Sequence, residues 1–289
     1  MFINLEVDYE KIKIIADSGC DLERSYAEEL GVYIIPMIVY FDDEAYYDRV
    51  TMTTEEFYEK LKTFKGLPKT TQITPARFIE EFKKFIDEGY HIIYISFSSG
   101  LSGTYQSALV AREELGEENV DVIDSKGASV GYGLMVREAA LMLKEGKTRE
   151  EIIDRVTFMR DRMEYIFAVG NLEMLKRGGR ISSSKALIGN LLNIKPILQF
   201  DNGYIVPYDK VRGEKAIIKK MIETMQERGY EIEKQVIGLN YSRNLDFCLQ
   251  LKEEIERTFK VKEFVISEIG PTIGSHVGEG TTSVFFMRK

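Results

Sequence analysis

The sequence predicts an α/β protein of two domains: an N-terminal domain built on a mainly parallel sheet flanked by helices, and a C-terminal α/β domain with a mixed sheet. Three observations carry this expectation. Short β-branched runs alternate with amphipathic stretches along most of the chain, the pattern of right-handed β-α-β crossover units. One Asp201-Asn202-Gly203 turn signal lies between two apolar runs and demands antiparallel pairing in the second half. The length of 289 residues accommodates two domains of roughly 150 residues each. The expected boundaries are 1–165 and 166–289.

Taken in order, 13–16 reads as a first strand and 21–30 as a helix closed by Gly31. The extended run 32–41 contains Pro36, which confines it to a sheet edge or a bulge. Thr53-x-x-Glu56 is a capping box opening a helix through 61, because each side chain satisfies the other residue's backbone donor. Thr74-Pro75 supplies an N-cap and a proline at the first helical position. Phe78, Phe82 and Phe85, with Ile79 and Ile86, then recur at helical spacing, which is the pattern of a core-facing stripe. A strand at 91–97, a helix at 103–115, a strand at 120–123 and a helix at 129–144 follow. Thr148-x-x-Glu151 is a second capping box, opening a helix to 163.

After 165–169 the texture changes. Lys176-Arg177-Gly178-Gly179-Arg180 is basic and broken by glycine, and an apolar stretch covers 186–194. Strands at 197–200 and 204–206 flank the turn signal. A helix at 213–228, a strand at 236–240, a helix at 245–258 and strands at 263–269 and 282–287 complete the chain. No linker, repeat or low-complexity segment separates the halves, so they pack closely, and the seam between them is the natural place for a ligand.

Composition excludes several classes of function. With 39 basic and 47 acidic residues the net charge is -8, whereas a general nucleic-acid binder needs a positive face. Two cysteines and two histidines cannot build a Cys-rich or multi-histidine metal site. The first ten residues lack the basic and long apolar regions of a secretion signal. No apolar run approaches the roughly 20 residues of a membrane helix. A cytoplasmic protein with reduced thiols is the expectation.

In open α/β sheets ligands gather at the carboxyl ends of strands, and three polar loops fit that position. Asp17-Ser18-Gly19-Cys20-Asp21 follows the first strand. A turn with Asp21 as N-cap accounts for it without a ligand, and no base accompanies Cys20 to make a nucleophile. Ser98-Ser99-Gly100-Leu101-Ser102-Gly103-Thr104-Tyr105 joins a strand to a helix. Helix-start N–H groups with hydroxyls beside them suit an anionic head group; helix capping by Ser102 uses the same donors. The loop misses the G-x-S-x-G nucleophile elbow, since position 104 is Thr, and it contains no P-loop. The third loop, Gly270-Pro271-Thr272-Ile273-Gly274-Ser275-His276-Val277-Gly278-Glu279-Gly280, sets His276 among four glycines, an arrangement that permits close backbone approach to a ligand. His91, just before an apolar strand, reads as a strand-edge residue. Thr70 and Thr71, in Lys69-Thr70-Thr71-Gln72-Ile73-Thr74-Pro75, have no evident structural task and offer hydroxyls.

Together these segments resemble the DegV family of bacterial fatty-acid-binding proteins. The resemblance rests on the three loops, on the threonine segment and on Val122-Ile123-Asp124-Ser125-Lys126. It continues through 171–181 and Ile194-Lys195-Pro196-Ile197-Leu198. It therefore spans nearly the whole chain in order. One departure is Thr71-Gln72-Ile73, where the family more often has Ser-Gln-Pro; the hydroxyl survives.

The resemblance implies a carrier and not an enzyme. One long-chain fatty acid, such as palmitate, lies in a tunnel between the domains. A separate ATP-using fatty-acid kinase phosphorylates its carboxylate to an acyl phosphate, in lipid transport or fatty acid metabolism. It further implies that Thr70, Ser102 and His276 hold the carboxylate, with Thr71, Ser98, Ser99, Gly103, Gly274 and Ser275 in support. Arg177, Arg180 and Arg212 would face the kinase. Hydroxyl and backbone donors would meet the head group without a buried cation, and 187–198 would line part of the tunnel or serve as ordinary core. No metal or cofactor is implied. Two alternatives remain: a serine hydrolase of acyl esters using Ser102, His276 and an intervening Asp, and a regulatory module that traps lipid.

Overall fold

The computed structural model of the chain describes residues 11–181 and 194–289. In the first half the order is β1 (Ile12–Asp17), a 3-10 turn (Ser18–Cys20), α1 (Arg24–Leu30), β2 (Tyr33–Ile35), β3 (Ile38–Phe41), β4 (Glu44–Tyr47) and α2 (Thr54–Thr63). Then come β5 (Lys69–Thr71), α3 (Pro75–Ile86), β6 (His91–Ser96), α4 (Thr104–Leu115), β7 (Val120–Asp124), α5 (Ser129–Lys144) and α6 (Arg149–Arg162). The second half holds β8 (Met163–Ala168), α7 (Leu172–Arg177), β9 (Ile194–Asp201), β10 (Tyr204–Arg212) and α8 (Glu214–Arg228). It ends with β11 (Val236–Tyr241), α9 (Leu245–Phe259), β12 (Glu263–Glu268), α10 (Pro271–Val277) and β13 (Thr282–Met287).

The strands form three sheets. Strands β2-β1-β6-β7 are all parallel. A six-stranded sheet runs β10-β9-β8-β13-β11-β12 and is mixed, with β11 and β12 parallel and the remaining pairs antiparallel. A small antiparallel sheet, β4-β3-β5, stands apart from both. The α/β class and the mixed second sheet match the sequence expectation.

Strand periodicity assigns the layers. In β1 the side chain of Ile15 joins Phe78, Phe82 and Tyr94 beneath α3 and α4, while Ile14 and Ala16 face the opposite side. In β8 Tyr165 and Phe167 share that opposite side, while Ile166 and Ala168 turn toward α8 and α9. This two-residue alternation is what a sheet covered on both faces requires. Helix α5 fills the layer between the two large sheets and is buried along most of its length. Its glycines allow the close approach. A Cβ on Gly131 would lie 2.6 Å from Phe285, and one on Gly133 would lie 2.6 Å from the Cys20 carbonyl oxygen.

Both capping boxes form, with Thr53 bonded to Glu56 and Thr148 to Glu151. The expected hairpin forms too, and Asn202 (φ 47°) and Gly203 (φ 87°) supply the left-handed turn pair. Three local readings change. The run 32–41 is two strands in different sheets, because the chain leaves the parallel sheet at Pro36 and enters the small one after Met37. Helix α1 begins at Arg24, not at 21, and Asp21 is not its cap. The glycine-rich segment after 270 is the helix α10, with Pro271 at its first turn.

Asp21 is fully buried and left-handed (φ 52°). Its carboxylate accepts from Gly270 N–H at 2.9 Å and from the Ser129 hydroxyl, and it pairs with Arg49 Nη1 at 3.3 Å. Arg49 Nη2 donates to the Glu268 carbonyl at 2.6 Å. Asp48 accepts from Thr272 N–H at 3.1 Å. Two carboxylates therefore satisfy backbone donors at the start of α10, where such donors have no helical partner. Burial pushes the Asp21 carboxyl up to about 6, against the opposing pull of Arg49.

Removing one member of a buried ion pair strands the other. Arg49→Ala is expected to lower the unfolding free energy by about 3–5 kcal/mol in urea titrations. A loss below about 1 kcal/mol, the range of exposed pairs, contradicts the role given to this contact.

Candidate functional site

A narrow cavity of about 50 Å³ lies where β5, the start of α4, α7 and α10 converge. Its polar lining is Thr70, Gln72, Ser102, Thr272, His276 and Arg180. The rest is apolar, including Met37, Phe97, Leu101, Leu175, Ile205 and Ile273. Side chains from two of the three sheets meet here. Thr70 sits opposite Val39 in the small sheet, while Ile205 comes from the edge hairpin of the six-stranded sheet.

His276 is carried on the last turn of α10. Its Nε2 lies 2.8 Å from Thr70 Oγ1, a contact between residues 206 positions apart in sequence. Its Nδ1 has no hydrogen-bond partner. A Cβ on Gly178 would stand 2.8 Å from that nitrogen, so only glycine lets the backbone past α7 close over the ring. Burial, reinforced by the charge of Arg180, lowers the imidazole to about 4. His276 is therefore neutral at pH 7.

Ser102 Oγ lies 2.9 Å from Thr104 Oγ1 and accepts from Thr104 N–H at 3.3 Å. Helix α4 has Gly103 as its N-cap residue, with no side-chain cap there. Gly103 is constrained by Gln72, whose Cδ would lie 2.9 Å from an added Cβ. Gln72 in turn donates to Ser107 at 3.1 Å. Arg180 is partly buried; its Nη1 donates to the Gly178 carbonyl at 2.6 Å and its Nε to the Leu101 carbonyl at 3.3 Å.

The structure thus brings Thr70, Ser102 and His276 to one cavity, together with Arg180. The remaining sequence candidates have other work. Thr71 is exposed on the alternate face of β5. Ser98 is buried and donates to the Gly203 carbonyl at 2.8 Å, anchoring the hairpin tip. Ser99 is on the surface and donates to Asp124 at 2.6 Å. Ser275 donates back to the Pro271 carbonyl within α10 at 2.7 Å. Gly274 packs on Phe57, which an added Cβ would meet at 2.7 Å. Arg177 and Arg212 are exposed at the ends of α7 and β10. His91 bonds Asp121 at 2.7 Å, away from the cavity. Of the expected tunnel wall, 187–193 lies outside the described residues. Within the rest, Leu198 joins the core around α5, with Tyr165 and Phe167, and Ile197 the core under α8 and α9.

Gln72 and Thr272 were not singled out in the sequence. Both flank residues that were, but nothing local marks their direction. The arrangement does not assemble a hydrolytic triad: Ser102 is bonded to Thr104, His276 Nε2 to Thr70, and no carboxylate orients Nδ1. Burial pushes the Cys20 thiol far up, which removes it as a nucleophile. Among the described residues no group of three or more His, Cys, Asp or Glu is placed to hold a metal ion. Among them, too, no helix is long and apolar enough to cross a membrane.

Comparison with known proteins adds an independent line. The model of the family described as "Uncharacterised protein, DegV family" matches residues 11–289. A DegV domain-containing protein of Clostridium perfringens is 38% identical over 286 residues, covering 96% of this chain and 98% of that protein. A fatty-acid-binding DegV family protein from Thermus thermophilus has a similar structure. Its TM-score is 0.89 at 31% identity, over 96% of this chain and 100% of that one. DegV of Bacillus subtilis, a fatty acid binding protein, aligns with a TM-score of 0.86 at 31% identity, over 97% of this chain and 100% of that one.

The imidazole environment is directly testable. In an NMR pH titration the His276 ring is expected to stay neutral from pH 7 to pH 5, with its midpoint near 4. Because the Arg180 charge opposes protonation, Arg180→Gln is expected to raise that midpoint. A midpoint at 6.5 or above in the unmodified protein contradicts the enclosed, cation-flanked geometry.

Proposed function

This chain belongs to the DegV family, and from that premise we propose that it is a carrier for one long-chain fatty acid, such as palmitate. The acyl chain would lie between residues 1–165 and 166–289, and its carboxylate would be offered to a separate ATP-dependent fatty-acid kinase. The carrying observation is the Thr70–His276 pair sharing one otherwise apolar cavity with Ser102. The fatty acid binding of similarly folded relatives supports the same reading.

The chemistry divides between tail and head. Each buried methylene of the tail contributes about 0.8 kcal/mol, so the apolar lining supplies affinity. The head group leaves water, and without hydrogen bonds its burial costs several kcal/mol. The hydroxyls of Thr70 and Ser102 are the donors that offset this cost. A neutral His276 bonded to Thr70 fixes the orientation of that hydroxyl. The chain itself needs no catalytic group. A carboxylate oxygen attacks the γ-phosphorus of ATP held by the partner, the bond to ADP breaks, and the acyl phosphate remains on the carrier. Arg177 and Arg212, exposed on an acidic protein, would steer the partner's approach. The setting is cytoplasmic lipid transport or fatty acid metabolism, with no metal, cofactor or nucleic acid required.

Mass spectrometry of the denatured, freshly purified protein is expected to find co-purified long-chain fatty acid. Thr70→Val and Ser102→Ala are each expected to weaken palmitate binding about tenfold or more, as the loss of a buried donor to a charged group implies. Absence of lipid together with no binding of added palmitate overturns the carrier reading. Turnover of a chromogenic acyl ester, lost in Ser102→Ala, would favour a hydrolase instead.

A further inference from the structure

We propose that the cleft along the outer edge of β2 is a second binding site, separate from the acyl cavity, and that it takes a small organic ammonium ion with an apolar body. The site goes beyond the carrier reading and does not depend on it.

The cleft follows from the topology. β2 is the outermost strand of the parallel sheet, and no described strand pairs with its other edge. Helix α1 packs on one face of that sheet and α3 on the other. The chain leaves the edge at Pro36 and comes back to it only at the turn after β4, so a gap remains between the two helices. Its volume is about 660 Å³, within the ordinary range of small-molecule sites. It shares no lining residue with the acyl cavity. Leu22, Ala27, Val32, Ile34 and Pro36 give it an apolar wall.

The charged groups in the cleft are unevenly matched. Each of its three arginines stands beside a carboxylate: Arg24 bonds Glu28 at 3.0 Å, Arg77 lies 3.9 Å from Glu81, and Arg49 pairs with Asp21 at 3.3 Å. Asp48, in the same wall, is different. It is only 2% exposed. Its Oδ2 accepts from Thr272 N–H, but its Oδ1 has no hydrogen-bond partner. The neighbouring Arg49 guanidinium turns instead to Asp21, Glu23 and the Glu268 carbonyl. Arg49 Nε is also without a partner, yet Asp21 and Glu23 beside it would repel an anionic ligand.

A carboxylate withdrawn from water with one oxygen unbonded is costly, and a cation relieves that cost. Burial raises the Asp48 carboxyl above its usual range, which an adjacent ammonium would reverse. An ammonium is a compact point charge with three donors, so it can meet a single oxygen, whereas a planar guanidinium prefers two. Tyr33 and Tyr47 stand in the same wall, and aromatic faces attract cations. Arg77 already lies 4.9 Å from the centre of the Tyr47 ring.

Titration calorimetry with phenethylamine, 2-phenylethanol and 3-phenylpropionate tests the site, because the three have similar bodies and differ in head charge. The unmodified protein is expected to bind the amine about tenfold more tightly than the alcohol or the acid. In NMR spectra the amine is expected to shift the amides of Tyr33, Ile34 and Asp48 and to leave Thr70 and Ser102 in place. Asp48→Asn, which keeps an acceptor for Thr272 N–H, is expected to abolish the preference and leave the alcohol unchanged. Val50→Arg, at the exposed mouth of the cleft, is expected to weaken the amine about threefold through like charge. No binding of the amine at millimolar concentration, equal affinity for the three probes, or shifts confined to the acyl cavity overturns the proposal. So does a preference unchanged in Asp48→Asn, or in Val50→Arg where Asp48→Asn does not fold. The carrier reading stands under any of these results.

Discussion

The fold turns on a buried carboxylate. Asp21 joins four segments that are far apart in sequence: its own loop after β1, Arg49 beyond the small sheet, Ser129 at the start of α5, and Gly270 at the start of α10. A charge at that depth is tolerable only because each oxygen is bonded and a cation stands beside it. Asp48 also reaches α10, its Oδ2 accepting from Thr272 N–H. Together they fix where α10 begins. The helix is only Pro271–Val277, too short to be stable alone, so its position is owed to these contacts and to Gly274 packing on Phe57. Where α10 sits decides where His276 points.

From that constraint the chemistry of the cavity follows. His276 on α10 meets Thr70 on β5, and the ring is kept neutral by burial and by Arg180. The cavity thus sets the hydroxyls of Thr70 and Ser102, the imidazole and a guanidinium held by backbone carbonyls in an apolar surround. The fatty acid proposed as ligand, with its anionic head and apolar tail, answers both kinds of lining. A serine nucleophile does not, since Ser102 is bonded to Thr104 and not to the imidazole.

Features set by short-range rules were legible in the sequence. Thr53 with Glu56, Thr148 with Glu151, and Asn202-Gly203 each act within a few residues, and each forms as expected. Thr70, Ser102 and His276 were singled out by their polar, Gly-rich or strand-end segments and grouped by the family resemblance; the structure brings them to one cavity. Asp21 was misread as a cap, because its partners Arg49 and Gly270 lie 28 and 249 positions away. The helix α10 was hidden by its glycines, although Pro271 at the first turn marked its start. The exposed strand β4 carries little hydrophobic alternation, so of the small sheet only β3, within the run 32–41, was legible as extended. Arg177 and Arg180 look alike in a basic run; only the turn through Gly178 and Gly179 sends one outward and the other to the cavity lining.

The most direct measurement is a crystal structure of the protein bound to palmitate. The account requires the carboxylate within hydrogen-bond distance of Thr70 Oγ1 and Ser102 Oγ, and the tail running between the two halves of the chain. A carboxylate bound elsewhere, or one in this cavity out of reach of both hydroxyls, would contradict it.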